Sequence, residues 1–290
     1  MNRKDLTQVG LKWDPFANEI PLESVYVSPL AEAFIWRVEH SLVREGGYAW
    51  ILGESGNGKS TGLRIVEDRL RRMADVSVGS LQRPSSGVAD LYREMGDLFG
   101  MELRPHNRWC GFKTLRERWQ ALIESTTVRP VLLIDEAQDF SPAVLNELRF
   151  LASTRLDSRI ILAVIFAADS RFEDKLKERD LVPMARRIRI RLPLERATPE
   201  ELMAHLKHLV TSAGNAALMT PELMKTICDH SLGNLGAMTS LCAELLAAAI
   251  QSNRGQLDEK LFLDVNKTAQ AARTNARRPR LTAGAGAGAK

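Results

Sequence analysis

The segment from Gly53 to Ser60 constrains this chain more than any other. It reads Gly-Glu-Ser-Gly-Asn-Gly-Lys-Ser and fits the pattern G-x-x-x-x-G-K-[ST] at every defined position. The apolar run Tyr48–Leu52 precedes it, and an amphipathic helical pattern over Lys59–Met73 follows it. A strand, a glycine-rich loop and a helix in this order let backbone N–H groups curl around phosphate oxygens. A chance glycine loop is the alternative, and the strand–loop–helix context argues against it.

The residues of this loop have separate expected roles at a nucleotide. Lys59 is expected to place a positive charge on the β and γ phosphates, and Ser60 to offer its hydroxyl to Mg²⁺. The dipole of the helix that begins near Lys59 adds to the phosphate site. The sequence therefore predicts a site for ATP and Mg²⁺. The residues expected to contact ATP are Gly53, Glu54, Ser55, Gly56, Asn57, Gly58, Lys59, Ser60 and Thr61.

A second motif supplies the acids that such a site needs. The apolar run Val131–Ile134 predicts a buried strand that ends at Asp135 and Glu136. Asp135 is expected to hold Mg²⁺ through its water shell, and Glu136 to orient and deprotonate the attacking water. The adjacent acid favours an ATPase, which forms ADP and phosphate, over a GTPase or a kinase. An acid pair that merely caps a strand is the alternative.

Another strand is expected between the strand that precedes the glycine-rich loop and the strand that ends at the acid pair. A polar residue at its carboxyl end is expected to sense the γ-phosphate. The run Ile160–Ala167 follows the acid pair and is succeeded by Asp169 and Ser170. Asp169, or else Ser170, is the candidate sensor. The alternative is a helix N-cap for residues 171–177, and one residue can serve both purposes.

Two arginines precede the last predicted strand. An arginine at this place can reach the γ-phosphate of a neighbouring subunit, so that the catalytic site lies between subunits. Arg187 is the first candidate and Arg186 the second. Charges solvated at an edge strand are the alternative.

Strands and helices alternate over the first two thirds of the chain. This alternation predicts an α/β fold with a five-stranded parallel sheet that is covered on both faces. Residues 88–125 are expected to form two helices separated by the stretch 104–112. The predicted strands are Tyr48–Leu52, Asp75–Leu81, Val131–Ile134, Ile160–Ala167 and Arg187–Leu192.

After Pro193 the pattern becomes helical, with about four helices. Thr198 and Thr220 are expected N-caps followed by proline and glutamate, and Asp258 opens the last helix. We therefore expect four regions. These are an N-terminal segment with a first helix that packs on the nucleotide site (1–45), a nucleotide-binding domain (46–193), a helical lid (194–272) and a disordered basic tail rich in Ala and Gly (273–290).

Composition excludes disorder for most of the chain but does not decide whether the chain binds DNA. Hydrophobic residues make up 44% and charged residues 26% of the chain, which excludes disorder for most of its length. The tail holds five bases and no acid, so the remaining bases and acids nearly balance and net charge does not establish DNA binding. The tail either holds nucleic acid or is a solvated end. The three cysteines and the absence of a long apolar run predict a cytoplasmic protein without a membrane partner.

Together these motifs resemble those of the AAA+ ATPases. Over roughly residues 12–270 the chain more narrowly resembles the ExeA/GspA-type ATPase module, which is similar to the TnsC-type and phage Mu B-type transposition ATPases. The resemblance implies a P-loop NTPase with an arginine finger and a small all-helical lid. The narrower likeness is carried by Asp14-Pro15-Phe16, Tyr26-Val27-Ser28-Pro29, Gly46-Gly47-Tyr48, Asp135-Glu136-Ala137-Gln138 and Leu145-Asn146-Glu147-Leu148-Arg149.

One position departs from this pattern. Relatives usually carry an arginine soon after the glycine that opens the central lid helix, as a second nucleotide sensor. The corresponding stretch Gly233–Met238 contains no arginine. We therefore expect a slow ATPase that persists in its ATP state and is stimulated by DNA or by a transposase.

A basic stretch rich in aromatics predicts a DNA contact. Residues 104–119 carry five bases and one acid, in a region where AAA+ rings insert loops into their central channel. Contacts with phosphates alone would bind duplex DNA with little sequence preference. The alternative is that Trp109, Phe112 and Trp119 are core residues and that the charges are a solvated helix face. The candidate DNA contacts are Arg83, Arg104, Arg108, Lys113 and Arg116.

These features lead us to expect an ATPase that assembles on duplex DNA as a homo-oligomer, either a ring or a helical filament. It would select transposition targets and recruit an integrase-type transposase, with ATP favouring assembly and Glu136-driven hydrolysis dissolving it. The first alternative is an ExeA-type ATPase for secretion or cell-envelope assembly without DNA. The expected absence of a membrane span and a cell-wall-binding region argues against it. A signalling scaffold is the second alternative.

Overall fold

The structure is a computed structural model that describes residues 2–81, 87–103, 107–154 and 159–276. The chain divides into two compact units. One is an α/β unit of residues 27–196 and 234–236, and the other is a helical unit built from residues up to 26, 197–233 and from 237 onward. No helix within the described residues is both long and apolar enough to cross a membrane.

The α/β unit is built on a five-stranded sheet in which all neighbouring strands run parallel. The strands are β1 (Gly47–Gly53), β2 (Val76–Leu81), β3 (Arg129–Ile134), β4 (Ala163–Ala168) and β5 (Ile188–Leu194). Their order in the sheet is β2-β3-β4-β1-β5, so β1, which leads into the glycine-rich loop, lies between β4 and β5. The predicted α/β class and the five parallel strands are confirmed, and β4 does lie between β3 and β1.

Alternating side chains of these strands enter two separate apolar cores. Tyr48 and Trp50 of β1 face one core, whereas Ala49 and Ile51 face the other. Burial on both faces is what a parallel sheet between helical layers requires. The helices of this unit are Pro29–Arg37, Val43–Glu45, Lys59–Arg71, Val88–Leu98, Arg108–Thr126, Pro142–Ala152, Ser170–Lys175 and Val182–Ala185, with a π-helical turn over Val38–Leu42 and a 3-10 turn over Ala137–Asp139.

Side-chain caps start the helices of the helical unit, as the sequence predicts. The hydroxyl of Thr198 accepts from the Glu201 backbone N–H at 3.2 Å, and the Glu201 carboxylate accepts from the Thr198 N–H at 2.8 Å. Thr220 and Asp258 accept in the same way from the first turns that follow them. The helices that contribute to this unit are Arg3–Gln8, Pro199–Ser212, Pro221–His230, Leu235–Gln251 and Glu259–Ala276, with a 3-10 turn over Leu22–Ser24.

The N-terminal residues join the helical unit rather than standing alone. The Lys12 N–H donates to the Ala213 carbonyl at 2.8 Å, and the Asn215 side chain donates to the Val9 carbonyl at 2.7 Å. The ring of Tyr26 meets the rings of His205 and His208 edge-on. The division of the chain therefore differs from the predicted one, in which residues 1–45 formed one segment, because the boundary falls between Tyr26 and Val27.

Two local predictions are wrong. The stretch 104–112 does not separate the two helices along its whole length, because the second helix already begins at Arg108. The side chain of Asn107 accepts from the Cys110 N–H at 2.9 Å and caps this earlier start. The run Ile160–Ala167 is not one strand, since Arg159–Ile160 pairs antiparallel with Ser153–Thr154 and β4 starts only at Ala163.

Candidate nucleotide site

The glycine-rich loop after β1 leads directly into the helix Lys59–Arg71. Gly56 and Gly58 have φ angles of 84° and 86°, in the left-handed region that glycine adopts readily. A Cβ atom at Gly53 would lie 2.6 Å from the Leu194 carbonyl oxygen, so the close approach of β5 also requires glycine there. Gly58 is the N-cap of Lys59–Arg71 and has no side chain to accept from the first N–H groups of that helix. These N–H groups can therefore bind an anion.

Lys59 supplies positive charge at this helix start. The residue is only 7% exposed, and its Nζ donates to the Glu54 carbonyl oxygen at 3.2 Å. That bond leaves two further N–H groups of the ammonium for other acceptors. Ser60 is exposed and Thr61 is half-buried at the same helix start. The loop thus presents an ammonium, a hydroxyl and backbone donors in one place, which is the donor set that a polyphosphate needs.

Three hydrogen bonds join the loop to other segments of the chain. The Asn57 side chain is buried and donates to the Leu194 carbonyl of β5 at 3.0 Å. The Asn234 side chain donates to the Ser55 carbonyl at 2.9 Å, and the Gly236 N–H donates to the Gly56 carbonyl at 2.9 Å. The segment that lacks the second-sensor arginine therefore hydrogen-bonds to the backbone of the phosphate loop. Sequence reasoning noted the missing arginine but not this contact.

The acid pair lies at the carboxyl end of β3. Asp135 is half-buried and its Oδ1 accepts from the Glu136 backbone N–H at 2.9 Å, while Glu136 is exposed. Glu136 has a φ angle of 50°, which is uncommon for a residue with a Cβ atom and is typical of functional sites. Parallel strands present their carboxyl ends at one edge of the sheet, so the pair lies at the same edge as the phosphate loop.

Asp169 and Ser170 lie at this edge as well, at the end of β4. The Asp169 carboxylate accepts from the Arg171 backbone N–H at 2.9 Å and from the Arg171 guanidinium at 2.7 Å. Hydrogen bonding from the Arg171 side chain lowers the pKa of this carboxyl, and the charges of Arg171 and Lys59 act in the same direction. The N-cap alternative is therefore confirmed, since Asp169 caps Ser170–Lys175. Its sensing role stays a prediction.

Ser170 and Gln138 connect the parts of this edge. The Ser170 hydroxyl donates to the Glu54 carboxylate at 3.1 Å, which joins the tip of β4 to the phosphate loop. The Gln138 side chain donates to the Glu136 carboxylate and accepts from the Asp169 backbone N–H at 3.2 Å. Gln138 lies within the Asp-Glu-Ala-Gln motif, but its spacing from Glu136 in the sequence does not predict this bond.

The two candidate arginines lie at the opposite end of the parallel strands, where β5 begins. Arg186 is exposed and Arg187 is half-buried, directly before β5. Ile188, the first residue of β5, is paired with Tyr48 near the start of β1, whereas the phosphate loop follows Gly53 at its end. At a rise of about 3.3 Å per residue the separation along β1 is roughly 17 Å. The arginines therefore lie away from the phosphate loop of their own chain.

The basic helix Arg108–Thr126 has a buried side and an exposed side. Trp119 is fully buried, whereas Trp109 is 72% exposed, and its ring stacks at 6.0 Å on Phe112. The core alternative is thus right for Trp119 and wrong for Trp109, while Phe112 is half-buried and packs against the core. The Arg116 guanidinium lies 4.7 Å above the Phe112 ring. Two candidate DNA contacts, Arg83 and Arg104, lie outside the described residues.

Arg108 has an intramolecular partner that sequence reasoning missed. Its guanidinium pairs with Glu147, whose side chain is 2% exposed and also accepts from the Tyr92 hydroxyl at 2.5 Å. Burial raises the pKa of Tyr92, and the hydrogen bond to Glu147 raises it further, so the phenol stays protonated and donates. Lys113 makes a looser, exposed contact of 3.7 Å with Glu117.

A family model and a curated relative match this chain. Residues 43–176 match the model of a family described as an AAA domain. General secretion pathway protein A of Aeromonas hydrophila is 26% identical over 245 residues, which cover 83% of this chain and 44% of that protein. The chain thus spans less than half the length of this relative.

Several solved structures share the fold. The Aeropyrum pernix ORC1 protein in complex with DNA has a TM-score of 0.64 at 16% identity, covering 89% of this chain and 70% of that one. Cdc6p from Pyrobaculum aerophilum has a TM-score of 0.64 at 13% identity, with coverages of 84% and 67%. The RuvB Holliday junction branch migration motor of Thermotoga maritima has a TM-score of 0.54 at 17% identity, with coverages of 88% and 73%.

The chain therefore has the AAA+ P-loop fold, and the predicted fold class is confirmed. The AAA domain match supports ATP hydrolysis and confirms the prediction of an ATPase. The fold implies nucleotide binding, and the relative named General secretion pathway protein A agrees with the resemblance to the ExeA/GspA-type module.

Proposed function

We propose that this chain is a nucleotide-dependent switch that assembles on duplex DNA in its ATP state and is released by hydrolysis. The observation that carries the proposal is the geometry of the sheet. The phosphate loop and the ends of β3 and β4 lie at the carboxyl ends of the parallel strands, while Arg186 and Arg187 lie at the amino ends. An ATPase whose arginine acts on a neighbouring subunit needs this separation.

Each residue of the site has a role in this proposal. ATP binds to Gly53, Glu54, Ser55, Gly56, Asn57, Gly58, Lys59, Ser60 and Thr61. Lys59 and the helix start hold the β and γ phosphates, and Ser60 and Asp135 hold Mg²⁺, the latter through water. Mg²⁺ neutralises charge on the phosphates. Glu136 accepts a proton from the attacking water, and Asp169 reports on the γ-phosphate through its position at the tip of β4.

The arginine finger makes hydrolysis dependent on assembly. Arg186 is the more exposed of the two candidates, and Arg187 is half-buried at the start of β5. Either can stabilise the charge that develops on the transferred phosphoryl group only when the edge of its subunit meets the phosphate loop of the next. ATP bound between two subunits then favours the homo-oligomer, a ring or a helical filament, over the free subunit.

The DNA contact is proposed at the exposed side of the helix Arg108–Thr126. Trp109 is exposed there and stacks on the half-buried Phe112, the Arg116 guanidinium lies over the Phe112 ring, and Lys113 is exposed beside them. Aromatic rings next to basic side chains are a composition that binds phosphates and bases. Arg108 is a weaker candidate, because its guanidinium is already paired with the buried Glu147. The Aeropyrum pernix ORC1 protein in complex with DNA shares this fold, which supports a DNA partner.

The narrower part of the proposal concerns the partner. Phosphate contacts without base contacts would let the assembly coat DNA with little sequence preference, as a selector of transposition targets requires. We propose an integrase-type transposase as the protein that reads this assembly, by resemblance to the TnsC-type and Mu B-type ATPases. The missing second-sensor arginine fits a slow ATPase whose ATP state persists until DNA or the transposase stimulates hydrolysis.

A second function has an observation of its own. General secretion pathway protein A is the curated relative found, and an ATPase that acts in secretion or cell-envelope assembly without DNA would use the same nucleotide site. The two functions differ in whether the column of Trp109, Phe112 and Arg116 meets DNA. In the secretion alternative that face would contact a protein.

The test is DNA binding by fluorescence anisotropy, with a labelled duplex and a slowly hydrolysed ATP analogue. The double variant Lys113→Ala/Arg116→Ala should weaken binding by about tenfold and reduce its dependence on salt, because two phosphate contacts are lost. The matched control is Lys177→Ala/Arg179→Ala, which removes an exposed lysine and an exposed arginine elsewhere on the same unit. Unchanged binding in the first variant, or no binding by the parent chain, would favour the secretion alternative.

A further inference from the structure

Gln138 is a buried amide between the candidate base and the tip of β4. Only 4% of the residue is exposed. Its Nε2 donates to the Glu136 carboxylate, and its Oε1 accepts from the Asp169 backbone N–H at 3.2 Å. One side chain thus spans two strands of the sheet, because Glu136 follows β3 and Asp169 follows β4.

The backbone around Gln138 is held as firmly as its side chain. Nζ of Lys175 donates to the carbonyl oxygens of Gln138 and Phe140, the latter at 2.6 Å. The Asp139 N–H closes the turn by donating to the Glu136 carbonyl at 2.9 Å. The amide therefore cannot turn away from Glu136 without breaking bonds that are sheltered from water, and such bonds are costly to leave unmade.

Charged groups surround the hydrogen-bonded pair of Gln138 and Glu136, but the amide–carboxylate hydrogen bond fixes a specific geometry within the pair. Arg171, which also pairs with Asp169 and lies 3.6 Å from Asp139, contributes positive charge near Glu136. A glutamate side chain that is exposed and lies on a left-handed residue has several rotamers open to it. The amide of Gln138 selects one of them. The titratable and charged groups that face the pair are Asp135, Asp139, Asp169, Arg171 and Lys175.

We propose that Gln138 is the positioning residue of the hydrolytic base: it fixes the Glu136 carboxylate and ties it to the backbone at the tip of β4. The inference rests on the proposed role of Glu136. Asp169 is the proposed sensor of the γ-phosphate. A displacement of its backbone is passed to Glu136 through the side chain of Gln138, which is hydrogen-bonded at both ends. The base is then placed for proton transfer only when the tip of β4 is in its bonded position.

This proposal predicts a loss of rate without a loss of affinity. Gln138 makes no contact with the phosphate loop in the bonds described above, so Gln138→Ala should bind ATP within about twofold of the parent chain. The single-turnover rate of hydrolysis should fall by roughly 10- to 100-fold, because a base misplaced by about 1 Å loses that much. Gln138→Asn keeps an amide but is one methylene shorter, so it should be impaired as well.

The variant Gln138→Glu separates positioning from a merely structural role. It keeps the shape and the acceptor for the Asp169 N–H, but it sets a second carboxylate against Glu136. Two such carboxylates share one proton, which raises the pKa of the pair. At low pH the shared proton restores a hydrogen bond, and at high pH both groups ionise and repel each other. The rate relative to the parent should therefore rise as pH is lowered from about 8 to about 5.5.

Two controls accompany this pH series. Gln120→Glu makes the same charge change on the helix Arg108–Thr126 and should follow the parent at every pH. Gln138→Ala has no titrating group, so its ratio to the parent should stay constant with pH. A constant ratio for Gln138→Glu as well, in a protein with the circular dichroism spectrum of the parent, would overturn the inference.

Failure of this inference is distinct from failure of the proposed function. Glu136→Gln and Lys59→Ala are measured in the same assay. If Glu136→Gln is inactive and both Gln138→Ala and Gln138→Glu hydrolyse ATP at the parental rate, the positioning role is wrong and the base assignment stands. If Glu136→Gln hydrolyses at the parental rate, the base assignment falls and the positioning role falls with it.

Discussion

The phosphate-loop edge and the basic helix Arg108–Thr126 both carry charged residues, and they use them in opposite ways. At the edge, Lys59 is buried with one hydrogen bond to a carbonyl, and the helix start beside it has no side-chain cap. On the basic helix, Arg108 is already neutralised by the buried Glu147, and Lys113 lies near Glu117. The first arrangement keeps donors available for a ligand, while the second uses part of its charge to hold the fold.

The difference shows why charge alone is a poor guide to a binding site. A buried ammonium without a carboxylate partner is costly unless a ligand offsets it. An arginine paired with a buried carboxylate is needed where it is, whether or not DNA ever approaches. The predictions below follow this contrast from the largest expected effect to the smallest.

Lys59→Ala should have the largest effect. The variant removes the charge that we propose holds the β and γ phosphates, so ATP affinity should fall by about 100-fold or more, and assembly on DNA should be lost with it. Isothermal titration calorimetry measures the affinity, and sedimentation with DNA measures assembly. DNA-bound assemblies that survive in this variant with ATP would contradict the switch.

Glu136→Gln should separate binding from hydrolysis. Without a base the rate should fall by about 100-fold or more, since general base catalysis contributes roughly 10²–10⁴-fold. ATP affinity should be retained, so oligomers should persist in ATP. Steady-state phosphate release and size-exclusion chromatography measure the two effects, and release at the parental rate would exclude Glu136 as the base.

Arg108→Ala should show how much the pair with the buried Glu147 contributes to stability. The free energy of unfolding should fall by about 2 kcal/mol, because Glu147 stays buried with Tyr92 as its remaining described partner. Lys113→Ala is the control and should change stability by less than about 0.5 kcal/mol, since its contact with Glu117 is exposed. Urea unfolding measures both. Equal effects of the two variants would mean that the pair with Glu147 carries no special weight.

Asp169→Ala should lower the free energy of unfolding by about 1 kcal/mol, less than Arg108→Ala, through loss of the N-cap of Ser170–Lys175. Asp169→Asn keeps a capping oxygen but not the charge that pairs with Arg171. A sensing role predicts slower hydrolysis in both variants, measured as single-turnover rates at saturating ATP. Parental hydrolysis in Asp169→Asn would leave the residue a cap alone.

The sequence predicts the parts of the site whose geometry follows from short motifs. The loop over Gly53–Ser60 and the acids after β3 were predicted because strand, loop and helix are contiguous in the chain. The edge shared with Asp169 follows from parallel strands and right-handed connections. The N-caps at Thr198 and Thr220 are equally local, since cap and first turn lie three residues apart.

The contacts that the sequence does not predict join residues far apart in the chain. Arg108 and Glu147 are 39 residues apart, and Asn234 and Ser55 are 179 residues apart. No period or motif marks either pair. The helix start at Arg108 was missed because residues 104–112 combine proline, glycine and aromatics, which favour a loop, whereas the cap at Asn107 and burial of Leu115 and Trp119 override that preference.

The most direct test of the account is negative-stain electron microscopy of the protein with duplex DNA, comparing a slowly hydrolysed ATP analogue with ADP. The account predicts rings or filaments on DNA with the analogue and bare DNA with ADP, because ATP bridges neighbouring subunits through an arginine. Bare DNA in both samples would contradict the DNA-assembling switch and favour the secretion alternative. In that case the column of the exposed Trp109 and the half-buried Phe112 and Arg116 would be assigned to a protein partner.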